Sequence, residues 1–143
     1  MLIHRLEFRA FMAYPHHEKI DFERLNDAGI FLLNGPTGAG KTTVLDAICY
    51  AIYGTVSSQL AESELRSIFA DRDVAPFVEL ELTVQGRRLR IHRTPAWIRP
   101  KKRGTGLTQE KATHHVSRLR PGADPRETAS WEEVGNRHRE SAE

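Results

Sequence analysis

Apolar and polar residues alternate from Leu2 to Phe8, with Leu2, Leu6 and Phe8 on one side and Arg5 and Glu7 on the other. That two-residue period predicts a half-buried strand. A shorter strand is expected over Glu18 to Phe22, followed by a turn at Asn26-Asp27-Ala28-Gly29. The run Gly29-Ile30-Phe31-Leu32-Leu33-Asn34 is continuously apolar and short, the pattern of a strand covered on both faces. From Lys41 to Tyr53 the spacing becomes helical. Val44, Leu45, Ile48, Cys49 and Ile52 form one stripe, and Gly54 stands where a C-cap belongs.

Beyond the helix, Glu62 to Phe69 reads as a short helix and Asp71-Arg72-Asp73 as a loop. Val78 to Val84 and Arg87 to Arg93 both alternate, and Gln85-Gly86 lies between them. This is a hairpin signature. A turn there sets Leu82 opposite Leu89, Leu80 opposite Ile91 and Glu81 opposite Arg90, so apolar residues share one face and charges the other. Glu79 and Glu81 then face solvent. Arg99 to Gly106 is a basic, breaker-rich loop, and His114 to Leu119 an edge strand. From Pro121 the composition turns to Pro, Gly, Ala, Asp and Glu, and Trp131 to Glu143 reads as the start of a helix. No internal repeat is evident.

Composition narrows the class. The 143 residues are one domain's worth, and 39% hydrophobic with 28% charged is the balance of a soluble globular chain. No apolar stretch is long enough to span a bilayer, and the N-terminus lacks the features of a secretory signal. A single cysteine allows no intrachain disulfide, so a cytoplasmic location is expected. The net charge of +2 conceals an asymmetry. Eleven Lys and Arg fall between Gly86 and Arg120 against one acid, Glu110, giving that block +10 and the rest of the chain −8. Such a block is a candidate nucleic-acid footprint.

The chemistry lies at Gly35-Pro36-Thr37-Gly38-Ala39-Gly40-Lys41-Thr42. In a G-x-x-x-x-G-K-[ST] loop, glycines let successive backbone N–H groups turn inward onto phosphate oxygens. The following helix adds the positive end of its dipole. Lys41 reaches the β- and γ-phosphates, and the Thr42 hydroxyl ligates Mg²⁺. The expected ligand is a nucleoside triphosphate, ATP with Mg²⁺. Hydrolysis needs more: a strand-borne acid for the metal and a group that orients water. Neither is evident, and no Asn-Lys-x-Asp segment reads guanine.

Phe8-Arg9-Ala10-Phe11, Ile20-Asp21-Phe22 and the run from Gly29 through Asn34, the phosphate loop, Thr43-Val44-Leu45-Asp46-Ala47-Ile48-Cys49 together resemble the N-terminus of the bacterial SbcC family. These are SMC-like ATPases that partner the nuclease SbcD. The likeness extends over Leu65-Arg66-Ser67 and the Val78–Arg93 hairpin and weakens from Arg99. It implies an α/β fold, the N-terminal half of an ABC-type ATPase head, with a central sheet carrying the P-loop and an antiparallel hairpin sheet beside it. Residues 1–120 would form the lobe and 121–143 a linker toward a coiled coil. It further implies ATP-driven clamping of double-stranded DNA ends, a head dimer, a C-terminal half completing the site and a nucleoid-associated bacterial setting. Phosphate-binding residues would be Asn34, Gly35, Pro36, Thr37, Gly38, Ala39, Gly40, Lys41, Thr42 and Thr43, with Arg9 approaching the nucleotide. The fragment alone is expected to be inactive, because the Q-loop, signature motif and second acidic motif are absent from it.

Other features are weighed against plainer readings. Arg88, Arg90 and His92 pair across the hairpin, whereas Arg99, Lys101, Lys102 and Arg103 lack acids nearby in sequence and are candidate DNA contacts. His16-His17 and His114-His115 are surface residues rather than metal ligands, since strand neighbours point to opposite faces. Cys49 belongs to the core, and Trp97 and Trp131 to packing. Two other functions remain open: an SMC-like DNA-repair or chromosome-organising ATPase without a nuclease partner, and a small-molecule P-loop kinase.

Overall fold

The computed structural model describes residues 1–30 and 32–138. Six strands form one antiparallel sheet in the order β2-β1-β3-β4-β7-β8. They are β1 (Leu2–Arg9), β2 (Glu18–Asp21), β3 (Phe77–Val84), β4 (Arg87–Thr94), β7 (Thr113–Leu119) and β8 (Trp131–His138). A separate ribbon pairs β5 (Trp97–Pro100) with β6 (Leu107–Glu110). The helices are one turn, α1 (Glu23–Asn26), and the longer α2 (Lys41–Tyr53).

The β3–β4 register is the expected one, with Leu80 opposite Ile91, Glu81 opposite Arg90 and Leu82 opposite Leu89. Gln85 and Gly86 turn the chain with φ of 50° and 74°, the paired left-handed conformation of a two-residue hairpin loop. Alternation sends Leu6, Phe8, Val78, Leu80 and Leu82 to one face, where they are buried against Val44, Ala47, Tyr50 and Ala51 of α2. The helix stripe is rotated from the expected one. Leu45 is largely exposed and Ile48, Cys49 and Ile52 only half-buried, because the small Ala47 and Ala51 allow α2 to lie close on the sheet and Tyr50 fills the space beside them.

The C-terminal end of α2 is tied down. Gly54 has φ 76° and donates its N–H to Tyr50 O, and Arg93 of β4 donates from Nε to Ala51 O at 2.8 Å. A cation there also complements the negative end of the helix dipole. Asp46 is fully buried and accepts from the Ser57 N–H at 2.8 Å and from the hydroxyls of Ser57 and Ser58. It thereby fixes the loop leaving the helix.

Further expectations are corrected. Residues 29–34 form no strand among the described residues (Phe31 lies outside them), and Ile30 and Leu32 are 87% and 86% exposed. No described strand runs beside this segment, so its backbone has nothing to pair with. Among the described residues the six-stranded sheet is antiparallel, and none of its strands runs directly into the loop. Glu62 to Phe69 yields only a single 3-10 turn, Glu62–Glu64. β7 is not an edge strand but lies between β4 and β8. The helix expected from Trp131 is β8, whose backbone extends the sheet beside β7 from Leu119↔Trp131 to Thr113↔His138; residues 139–143 lie outside the described residues.

The second face of the sheet is charged but not open. Glu81, expected to face solvent, is 3% exposed and held by Arg88, Arg90 and Arg5. The segment from Pro125 to Trp131 holds one of these arginines in place. Arg90 lies over the Trp131 ring, 3.9 Å from its centroid, and donates to Pro125 O, which also accepts from Trp131 Nε1.

Candidate phosphate-binding site

The loop between Leu33 and α2 takes its form from two glycines. Gly38 and Gly40 have φ of 84° and 86°, where a Cβ is strongly disfavoured. Gly40 is also the N-cap residue of α2, and no side chain caps that terminus. The first-turn N–H groups therefore lack a side-chain acceptor, which leaves donors and the positive dipole end available to an anion. Lys41 Nζ folds back over the loop and donates to Gly35 O at 2.5 Å and Pro36 O at 2.8 Å. An ammonium ion held only by neutral carbonyls at a helix N-terminus suits phosphate oxygens well.

Other expected residues are placed unequally. Asn34, Pro36, Thr37, Gly38, Ala39 and Thr42 are exposed, Gly35 is half-buried, and Thr43 points into the core side of α2. Arg9 follows core-facing Phe8 and so leaves β1 on the opposite face of the sheet from α2. It donates from Nε to Ala75 O at 3.1 Å and lies over the Phe77 ring, and the structure does not bring it to the loop.

The sequence patterns do not single out Tyr14, yet it belongs to the site. Tyr14 donates its hydroxyl to Ala39 O at 3.1 Å, and its ring fills the space a Cβ on Gly40 would take. Only the non-local return of the chain after β1 brings the two together. The sole sequence signal is an aromatic residue shortly after the first strand.

The basic block divides. Arg88 and Arg90 are bound to Glu81, Arg93 to the end of α2 and Arg118 to Glu132. Arg99 also has a partner, since the β5–β6 pairing brings Glu110 to 2.5 Å from its Nε. An acid eleven residues away becomes a neighbour only when the ribbon forms. Lys101, Lys102 and Arg103 are exposed in the turn of that ribbon. A cleft of about 420 Å³ near the β3–β4 turn is lined by Arg87, Arg88, Arg118 and Arg120 with no acid among its lining residues.

Histidines pair singly with carboxylates: His17 Nε2 lies 2.9 Å from Glu7 and His92 Nδ1 lies 3.1 Å from Glu79. Among the described residues no three His, Cys, Asp or Glu gather as a metal site. Burial raises the Glu79 carboxyl, but the hydrogen bond from His92 and the charges of Arg90, His92 and Arg5 outweigh it and leave the pKa below the ordinary value. His4, buried near Arg88, is lowered by desolvation first and by that charge second. Among the described residues no helix is long and apolar enough to cross a membrane.

The chain is similar to known proteins over most of its length. The family model described as AAA domain matches residues 5–127. The chain is 43% identical over 107 residues to the SbcC subunit of the SbcCD nuclease from Vibrio cholerae, a match covering 74% of this chain and 11% of that protein. Its likeness to the protein of the same name from Lactococcus lactis is 40% over 100 residues, 69% of this chain and 10% of that one. For Staphylococcus haemolyticus it is 42% over 96 residues, 66% and 9%. The chain therefore spans about a tenth of the length of these curated relatives.

Proposed function

We propose a function on the premise that this chain belongs to the AAA domain family: it is the ATP-binding N-terminal part of an SbcC-type protein, an ATPase that serves a DNA-end-processing nuclease. The observation that carries the reading is the loop itself. Two left-handed glycines, an uncapped helix N-terminus and Lys41 at its mouth form a receptor for the phosphates of a nucleoside triphosphate. Gly35 and Thr37 to Thr43 would supply backbone donors, with Asn34 at the rim and Pro36, which has no N–H, shaping the loop; Lys41 supplies charge, and Thr42, exposed at the first turn, would hold Mg²⁺. The ion would offset the phosphates' negative charge. Arg9 would join them only after leaving Ala75 and Phe77.

The exposed apolar surface supports an incomplete head. Ile30, Leu32, Leu45 and Tyr53 are exposed in the segment before the loop and on the outer side of α2, and clustered exposed apolar residues mark interfaces. In this reading the C-terminal half of the same head covers it, and residues 29–34 become a strand of the ABC-type central sheet. Residues 1–120 are the lobe and 121–143 lead toward a coiled coil, with β8 built into the sheet. Two heads then close around ATP, work with an SbcD-like metallophosphoesterase and grip double-stranded DNA, with Lys101, Lys102 and Arg103 as contacts and a nucleoid-associated cytoplasmic setting.

The test is calorimetry of Mg-ATP binding to the chain and to Lys41→Ala, alone and after mixing with the C-terminal half. Binding that needs Lys41, with hydrolysis only in the mixture, is the expected result. Hydrolysis or phosphorylation of a small molecule by the lone chain overturns it.

A further inference from the structure

Tyr14 meets the phosphate loop at its most constrained peptide. Its hydroxyl donates to Ala39 O at 3.1 Å. A Cβ on Gly40 would lie 2.4 Å from Tyr14 Oη and 2.6 Å from its Cε2. The peptide joining Ala39 to Gly40 is planar and trans, so its C=O and N–H point in opposite directions. Pinning the carbonyl toward Tyr14 turns the Gly40 N–H away from it.

The tyrosine is itself held firmly. Its ring packs edge-on against Phe8 at 5.2 Å between centroids, and Phe8 is part of the buried core. Its backbone exchanges two hydrogen bonds with Phe11, at 2.9 and 3.0 Å. The intervening turn is unusual: Ala10 and Met12 both have φ of 48°, uncommon for residues that carry a Cβ. Ser67 N–H donates to Ala10 O and Met12 N–H to Leu65 O, each at 2.8 Å, and fix the turn from outside. Strained turns of this kind persist where surrounding structure over-determines them, and they cluster at binding sites.

We propose that Tyr14 is a positioning residue for the phosphate loop: it anchors the Ala39 carbonyl so that the Gly40 N–H is aimed at the phosphates of a bound nucleoside triphosphate. This rests on the nucleotide-binding reading above. The hydroxyl holds the peptide plane, and the ring occupies the side-chain space that Gly40 leaves empty. Loop orientation is thereby set before ligand arrives, which lowers the ordering cost of binding.

The experiment compares full-length wild type, Tyr14→Phe, Tyr14→Leu and Lys41→Ala by Mg-ATP calorimetry and by thermal melting without nucleotide. Tyr14→Phe removes one hydroxyl and is expected to weaken Mg-ATP binding about two- to tenfold, the factor for one neutral hydrogen bond, with its melting midpoint unchanged. Tyr14→Leu weakens binding further. Wild-type affinity in Tyr14→Phe overturns the proposal. So does an affinity loss matched by a lower midpoint, which would make Tyr14 a general packing residue. If wild type binds no better than Lys41→Ala, the nucleotide reading itself is what fails, and Tyr14 falls with it.

Discussion

Glu81 and Arg88 form an ion pair at 2.6 Å in which the carboxylate is almost closed to solvent and the guanidinium only partly so. Arg90 and Arg5 complete the shell at 3.3 and 3.5 Å. Removing the carboxylate takes away the one acid that all three cations share and leaves them only the more exposed Glu79, Glu23 and Glu7. Glu81→Ala is therefore expected to cost about 3 kcal/mol, the scale for breaking a buried pair, measured by urea unfolding. A loss below about 1 kcal/mol would mean that the cluster behaves as a surface network.

Acid is expected to destabilise this fold in two windows. His4 has a lowered folded pKa, so the unfolded chain binds its proton first, and stability falls as pH drops below the ordinary histidine value of 6.5. Glu79 is lowered too, so its contribution is present above the unfolded value of 4.5 and lost as pH falls through the folded one. Melting midpoints between pH 8 and 4 should decline in both windows. His4→Gln should flatten the upper one alone; an unaltered upper slope would remove His4 as its source.

Gly40→Ala places a methyl group at φ 86° and against the Tyr14 ring. Strain of about 1–2 kcal/mol from the left-handed conformation is expected, together with loss of Mg-ATP binding as the loop re-forms. Retained affinity in this variant would contradict the loop geometry.

Arg9→Ala should leave Mg-ATP affinity unchanged, since Arg9 is bound to Ala75 O on the other face of the sheet. A tenfold loss by calorimetry would instead show that the guanidinium swings to the nucleotide.

Alanine at Lys101, Lys102 and Arg103 together should weaken duplex DNA binding by the full-length protein and lower the salt slope by up to about three. Melting should not change, because the three side chains are exposed in the β5–β6 turn. Arg99→Ala, which breaks the pair with Glu110, should loosen the ribbon more than it alters the slope. An unchanged slope in the triple variant would assign DNA contact elsewhere.

Local patterns carried much of this molecule. Strict alternation made β1, β3 and β4 readable, and Gln85-Gly86 determined the hairpin register because a two-residue turn leaves no freedom to slip. The spacing of glycines before Lys41 announced the phosphate loop, since only left-handed residues curl the backbone so tightly. What tertiary structure alone decided were the outcomes that depend on partners distant in sequence. The run from Gly29 to Asn34 has the composition of a buried strand, yet its described residues lie exposed, because hydrogen bonds of a strand come from a neighbour that no described residue provides. Trp131 onward became a strand because β7 offers it an unpaired edge. Glu81 alternates like a surface residue but is buried, because Arg5, Arg88 and Arg90 close around it and Pro125 and Trp131 hold Arg90 in place. Tyr14 came to the loop through a turn whose two left-handed non-glycine residues no local propensity would select. Each of those outcomes is set by what a distant segment places opposite a residue, and that information is absent from the residue's own neighbourhood.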